Sequence, residues 1–378
     1  MKNDEEKLRK IMDNTIVVDT LSHGPILWTD YFVKIADKLL SSETNPFKIV
    51  QDLIAEFAIK VVKDNDYFEK LKNAWKNSGV KCVSWTLGPI HEKPYSLEGV
   101  KHNLAYLTYM IDNRREFFVK ILKGDDFEAL KESNKVGIIY NFQDLGFIGT
   151  DLSLIEYFYL LGVRVMQLTY NSKNTIGTGC TARKDRGLTE FGLGVIEKLN
   201  DLGVLIDVSH CGSQTSMDAI ENSKDPVVAT HTIAKKINDH DRAKNDDLLL
   251  AIAEKKGYVG VLAVPGFITN KAEATINDWL EHVDYLVDLL GIDHVGIGTD
   301  YYGYSLPDNV AKKIDEFISV LSFRPEHKAS FLAKMQGFEN YESFPNLLKG
   351  LLSRGYSIDE IKKISGENFM RVFKKVVG

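Results

Sequence analysis

GVLIDVSH (203–210), PVVATHT (226–232) and HVGIGTDY (294–301) are short apolar runs that each end in, or just short of, a polar side chain able to do chemistry. A run that is apolar at nearly every position, rather than at every second one, reads as a strand buried on both faces of a parallel sheet. Five more runs share the pattern: TIVVDTLS (15–22), GVKCVSWTL (79–87), KVGIIYNFQ (135–143), VRVMQLTYN (163–171) and YVGVLAVPG (258–266). Amphipathic stretches separate them. Residues 152–162 and 190–203 both end at glycine, as helices commonly do. Residues 213–223 open on Ser213 as a candidate cap, and 246–257 and 275–291 complete the alternation. Eight strand–helix repeats predict an α/β fold of the (β/α)8 TIM-barrel type, although strand count alone is also compatible with a doubly wound sheet. Residues 24–78 then form a helical insertion after strand 1 and 304–378 a helical C-terminal extension, either of which can roof the barrel mouth. No linker composition interrupts the chain, so 1–378 reads as one domain.

Composition narrows the function. The 378 residues are 44% hydrophobic, enough for a large core, and carry 47 basic against 53 acidic side chains, a net charge of −6. That balance argues against a nucleic acid or an anionic membrane as partner, since both call for a basic face. The first ten residues, MKNDEEKLRK, are charged and lack a signal-peptide core. No stretch approaches the roughly 20 apolar residues of a membrane span, so a cytoplasmic location is expected. Cys82, Cys180 and Cys211 are too few and too scattered for a disulfide framework or a cysteine zinc site. Cys82 reads as buried filler. Cys180 is a weak nucleophile candidate, because no histidine is tied to it by sequence.

In a TIM barrel the chemistry gathers at the C-terminal ends of the strands. Those ends carry His23 just past strand 1, Gln143 on strand 3, Tyr170 and Asn171 on strand 4, His210 on strand 5, His231 on strand 6 and Asp300 on strand 8. Two imidazoles on neighbouring strands with a carboxylate suit zinc or a similar divalent ion, which lowers the pKa of a bound water. Arg242, in NDHDR (238–242), has the fork geometry to clamp a substrate carboxylate, or to make a surface ion pair. His294 begins strand 8 and reads as structural; His91, His102, His282 and His327 read as solvated.

With these residues in place the chain resembles the membrane dipeptidase (renal dipeptidase) family, the M19 metallopeptidases of the amidohydrolase-like barrels. The likeness runs from strand 1 to the C-terminus and is tightest over 135–302. It is carried by LGVRVMQLTYN (161–171), GLTEFGLGVIEKLNDLGVLIDVSH (187–210), PVVATH (226–231), GIDHVGIGTDYYG (291–303) and SGENFMRVF (365–373). The resemblance implies metal-ligand roles for His210 and His231, a catalytic proton acceptor at Asp300, and a substrate-carboxylate ligand at Arg242. Asp19 matches the aspartate that opens the family's first metal motif. It also sets a homodimer as the expectation, though no interface signature stands in the sequence.

The departures cluster on strands 1, 3 and 4. Leu21 stands where the family has a ligand histidine, His23 where it has a ligand aspartate, Gln143 where a glutamate bridges two metals, and Tyr170 where a histidine meets the tetrahedral intermediate. Replacing Glu by Gln and Asp by His removes two negative charges from a place meant for two dications. Each close charge pair is worth about 4 kcal/mol even at an effective dielectric near 20, so one Zn2+ at most is expected, on His210 and His231 with Gln143 or His23. The function implied is a metal-dependent hydrolase cleaving a dipeptide or related small amide. Asp300 would act as base and Tyr170 as hydrogen-bond donor to the oxyanion. The alternative is a catalytically altered or inactive barrel that acts on or binds a different small carboxylate.

Overall fold

The structure, a computed structural model, describes residues 2–43, 45–87, 97–303 and 306–378. All eight apolar runs form strands: β1 (Val17–Ile26), β2 (Val80–Thr86), β3 (Val136–Phe142), β4 (Val163–Gln167), β5 (Leu205–Asp207), β6 (Val228–Ala234), β7 (Tyr258–Val261) and β8 (Val295–Ile297), whose run resumes at Tyr301–Gly303. Each pairs with the next in parallel. The resumed part of the β8 run pairs with β1, Ser22 against Tyr301, so the sheet curls back on its own first strand as a barrel. Two short strands, Phe118–Lys120 beside β3 and Ala243–Lys244 beside β6, were not legible as strands in the sequence.

The interior is filled as a TIM barrel requires. One residue from each of seven strands (Val18, Cys82, Ile139, Val165, Leu205, Val228 and Tyr258) meets in a single apolar cluster near the strand starts. Above it the Thr20 hydroxyl reaches across to the carbonyls of Thr230 (2.6 Å) and Ile297 (2.9 Å). That crossing leaves no room for side chains opposite: a Cβ added at Gly260 or Gly298 would run into the Thr230 carbonyl and the Thr20 hydroxyl.

Between β1 and β2 the chain forms three helices, Asp30–Ser42, Pro46–Lys63 and Asn65–Ser78, after β1 has run on to Ile26. The segment after β8 divides its work. Residues 306–339 stand at the mouth, while the helix Asn368–Val377 sends Phe369, Val372, Phe373 and Val376 into the apolar cluster at the opposite end. Each buried Phe is worth about 1.5–3 kcal/mol of transfer free energy. The helix Ser213–Asn222 is not capped by its own serine. Gly212 is the N-cap, and the Asp185 carboxylate accepts from the backbone N–H groups of Gln214 (2.7 Å) and Thr215 (3.4 Å). A carboxylate from a distant loop satisfies those open donors better than a neighbouring hydroxyl, and its charge suits the helix N-terminus.

Two histidines expected in solvent are structural. His282 is fully buried; its Nε2–H donates to the Ile268 carbonyl (2.9 Å) and its Nδ1 accepts from the Ala234 N–H (3.3 Å). His327 is buried beside Asp241 (3.0 Å) and takes the Arg324 N–H on Nδ1 (3.0 Å). His102 is half-buried, His294 holds the Gly257 carbonyl (2.9 Å), and His91 lies outside the described residues.

Burial depresses the His282 pKa to about 4 from an ordinary 6.5. The unfolded chain therefore takes up a proton below pH 6.5 that the folded chain refuses until about pH 4, and stability falls as pH drops through that window. The contribution is about 3 kcal/mol. In urea titrations His282→Gln is expected to be less stable than the parent at pH 7, with the gap narrowing by about that amount at pH 4. A gap unchanged by pH would show that His282 does not set this dependence.

Candidate active site

His210 follows β5 and His231 lies in β6, so neighbouring strands deliver them side by side, with their Nε2 atoms 2.9 Å apart. What stands behind each ring fixes its tautomer. The Asn171 amide nitrogen donates to the Leu321 carbonyl (2.7 Å), which leaves Asn171 Oδ1 to accept from His210 Nδ1–H (2.7 Å). The Thr230 hydroxyl donates to the Asp207 carboxylate, so it accepts from His231 Nδ1–H (2.9 Å). With both Nδ1 atoms protonated, the two Nε2 atoms turn lone pairs rather than protons toward each other. Such a contact is repulsive unless a proton or a metal cation sits between them. Burial holds the His231 pKa well below its ordinary value, which disfavours the proton.

Gln143, just past β3, is the third group here. Its amide nitrogen is 3.4 Å from His231 Nε2, and its buried Oε1 has no hydrogen-bond partner among the described residues. Turned over, the amide would offer that oxygen to the same point. Two imidazoles and one amide oxygen fit a borderline divalent ion such as Zn2+. Among the described residues no three His, Cys, Asp or Glu side chains converge to hold an ion.

A second cluster stands at the end of β8. Asp300 has φ of +61°, a left-handed conformation uncommon for a residue with a Cβ, held by its N–H donating to the Leu21 carbonyl (3.0 Å). Its carboxylate pairs with His23 Nε2 at 3.0 Å, and the His23 ring stacks on Tyr302 at 4.3 Å. Burial pushes the Asp300 pKa up, but His231 and His23 outweigh it and the carboxyl stays below its usual range. His23 is thus turned to Asp300. Asp19 lies beneath, fully buried, accepting from the Thr299 N–H (2.8 Å) and hydroxyl (2.6 Å) and from Tyr341. Burial lifts its pKa to about 6.

His23, Tyr170, Asp300 and Tyr302 share the wall of one cavity, closed by Phe267 and Pro265 after β7 and by Phe323 and Phe331 of the C-terminal segment. The Tyr170 ring stacks on His210 at 4.0 Å, and burial raises its pKa well above 10, so it remains a phenol able to donate. Arg242 is placed differently from the expectation. It is fully buried, does not line this cavity, and its arms donate to the Ser209 (2.5 Å) and His231 (2.9 Å) carbonyls, pinning the two histidine-bearing strand ends together. Cys180 is kept protonated by burial, with its thiol 3.5 Å from Asn171 Oδ1, and the three cysteines are unpaired. The orienting roles of Asn171, Thr230 and Asp207 were missed in the sequence. Polar residues inside otherwise apolar strands were the available signal.

The family model described as membrane dipeptidase, peptidase family M19, matches residues 5–330 and 329–377. An uncharacterized dipeptidase of Schizosaccharomyces pombe is 28% identical over 258 residues, 66% of this chain and 56% of that protein. Dipeptidase tcpJ of Claviceps purpurea is 27% identical over 258 residues, 67% of this chain and 54% of its own. The chain thus spans little more than half the length of these curated relatives. An amidohydrolase from Pseudomonas aeruginosa superposes with a TM-score of 0.76 at 25% identity, over 98% of this chain and 99% of that one. A metallopeptidase from Rhodobacter sphaeroides, solved with a phosphinate mimic of L-Ala-D-Ala, gives 0.70 at 19% identity over 96% and 99%, a likeness of fold. With the family model covering nearly the whole chain, this protein belongs to the membrane dipeptidase family, peptidase family M19.

Proposed function

We propose that this protein is a metal-dependent hydrolase of dipeptides or related small amides that works with a single divalent cation. The observation that carries the reading is the close approach of the His210 and His231 Nε2 atoms, 2.9 Å apart, with each Nδ1–H held by a fixed acceptor. The named activity of the dipeptidase relatives supports it. Nε2 of both histidines and Oε1 of Gln143 would hold the ion, and His23, expected as a possible ligand, serves Asp300 instead. When bound, the ion supplies Lewis acidity at the scissile carbonyl.

The remaining chemistry belongs to the chain. Tyr170 donates to the oxygen of the carbonyl as charge develops on it. Asp300, ionised through the working range, is the fixed negative charge of the proton-accepting side of the site. The aromatic walls keep water from competing and seat an apolar side chain of the substrate. Arg242 holds the strand ends in register by its bonds to two carbonyls.

Elemental analysis of protein purified without chelator is expected to give about one zinc-like ion per chain, with hydrolysis of some member of a dipeptide panel. Absence of any ion, with no cleavage after adding zinc, cobalt or manganese, would sink the proposal. His231→Ala is expected to lose the ion. Asp300→Asn is expected to keep it and lower kcat by about 10²–10⁴. Tyr170→Phe, also metal-replete, is expected to lower kcat by about 10²–10³ with KM little changed, the mark of a bond made in the transition state. An unchanged kcat in Tyr170→Phe would remove the phenol from the mechanism.

A further inference from the structure

We propose that His23 is the group that carries the proton in this site: its Nδ1 faces the cavity as base and then acid, while Asp300 holds its Nε2–H. This rests on the hydrolase reading above and names the atom that does its proton transfer.

The argument is geometric. His23 Nε2 pairs with Asp300 Oδ1 at 3.0 Å, and the Asp300 backbone is held in the left-handed region by its bond to Leu21. The imidazole plane is set from one side by Tyr302, 4.3 Å away and within 14° of parallel. The ring therefore has one orientation. Its other nitrogen, Nδ1, makes no hydrogen bond among the described residues, and His23 is one of the residues that line the cavity. A carboxylate that fixes an imidazole by one nitrogen and leaves the other bare toward substrate defines the tautomer and stabilises the imidazolium when it forms.

In hydrolysis of an amide, the oxygen of water bonds to the carbonyl carbon as one of its protons passes to His23 Nδ1. The C–N bond then breaks, its electron pair goes to nitrogen, and the proton on Nδ1 moves to that nitrogen to release the amine. The second proton of the water leaves with the new carboxylic acid and is lost to solvent. His23 ends as it began.

Nitrogen NMR of chain labelled with ¹⁵N-histidine tests the tautomer without any substrate, the His23 signals being those lost in His23→Asn. Nε2 protonated and Nδ1 bare is the expected result, with the preference relaxed in Asp300→Asn; a proton resting on Nδ1 in the parent would overturn the inference whether or not the protein hydrolyses anything. With a cleaved dipeptide in hand, His23→Ala is expected to lower kcat by about 10²–10⁴ at unchanged metal content. Added imidazole is expected to restore at least tenfold of that loss. Activity of His23→Ala within threefold of the parent, or a loss that imidazole does not rescue and that follows loss of the ion, would instead make His23 structural or a ligand. Failure of the parent to hydrolyse any peptide strikes the proposed function and leaves the tautomer measurement to decide this point.

Discussion

The Asp19 carboxylate, fully buried between the first and last strands, is the fixed point of this molecule. It takes the Thr299 backbone and hydroxyl on one side and the Tyr341 hydroxyl on the other. The first contact joins β1 to the run that follows β8, where the barrel must meet itself. The next residue after Thr299 is Asp300, so the same contact places the left-handed residue that pairs with His23. The second contact ties down the C-terminal segment whose upstream part, around Phe323 and Phe331, walls the cavity. A buried carboxylate is costly to hold, and its pKa near 6 records that cost. Four hydrogen bonds, from the Leu21 and Thr299 N–H groups and the Thr299 and Tyr341 hydroxyls, offset it, and in return closure, site and wall share one anchor.

The site above that anchor sets neutral donors beside a paired carboxylate. The histidine pair and Gln143 are neutral, and the Asp300 carboxylate has the His23 imidazole as its partner. Positive charge beside Asp300 is thus supplied by the chain when His23 is protonated. The two clusters are held by different strands, His210, His231 and Gln143 by the ends of β3, β5 and β6, and His23 and Asp300 by those of β1 and β8.

Much of this was legible in the residue order because it depends on local physics. Eight near-continuous apolar runs, punctuated by amphipathic stretches, carry the barrel, and strand-end position alone singles out His210, His231 and Asp300. What escaped depends on long-range partners. Ser213 has the right chemistry for a cap, but a charged side chain 28 positions earlier in the chain, Asp185, occupies the place. His282 and His327 look like surface histidines until the elements that bury them are known. Arg242 has the composition of a ligand clamp, yet the carbonyls of Ser209 and His231 reach it first. His23 reads as a spare metal ligand because its pairing with Asp300 spans almost the whole sequence.

The plug at the far end of the barrel bears on how the chain comes to be folded at all. Phe369, Val372, Phe373 and Val376 complete a cluster to which seven strands contribute, beginning with Val18. During synthesis those strands emerge one after another with their shared interior open at the base. The closing hydrophobic surface arrives only when the helix over 368–377 has left the ribosome. Until that surface packs against the strand starts, the base of the barrel exposes apolar side chains, the kind of transient surface that makes large chains prone to aggregate.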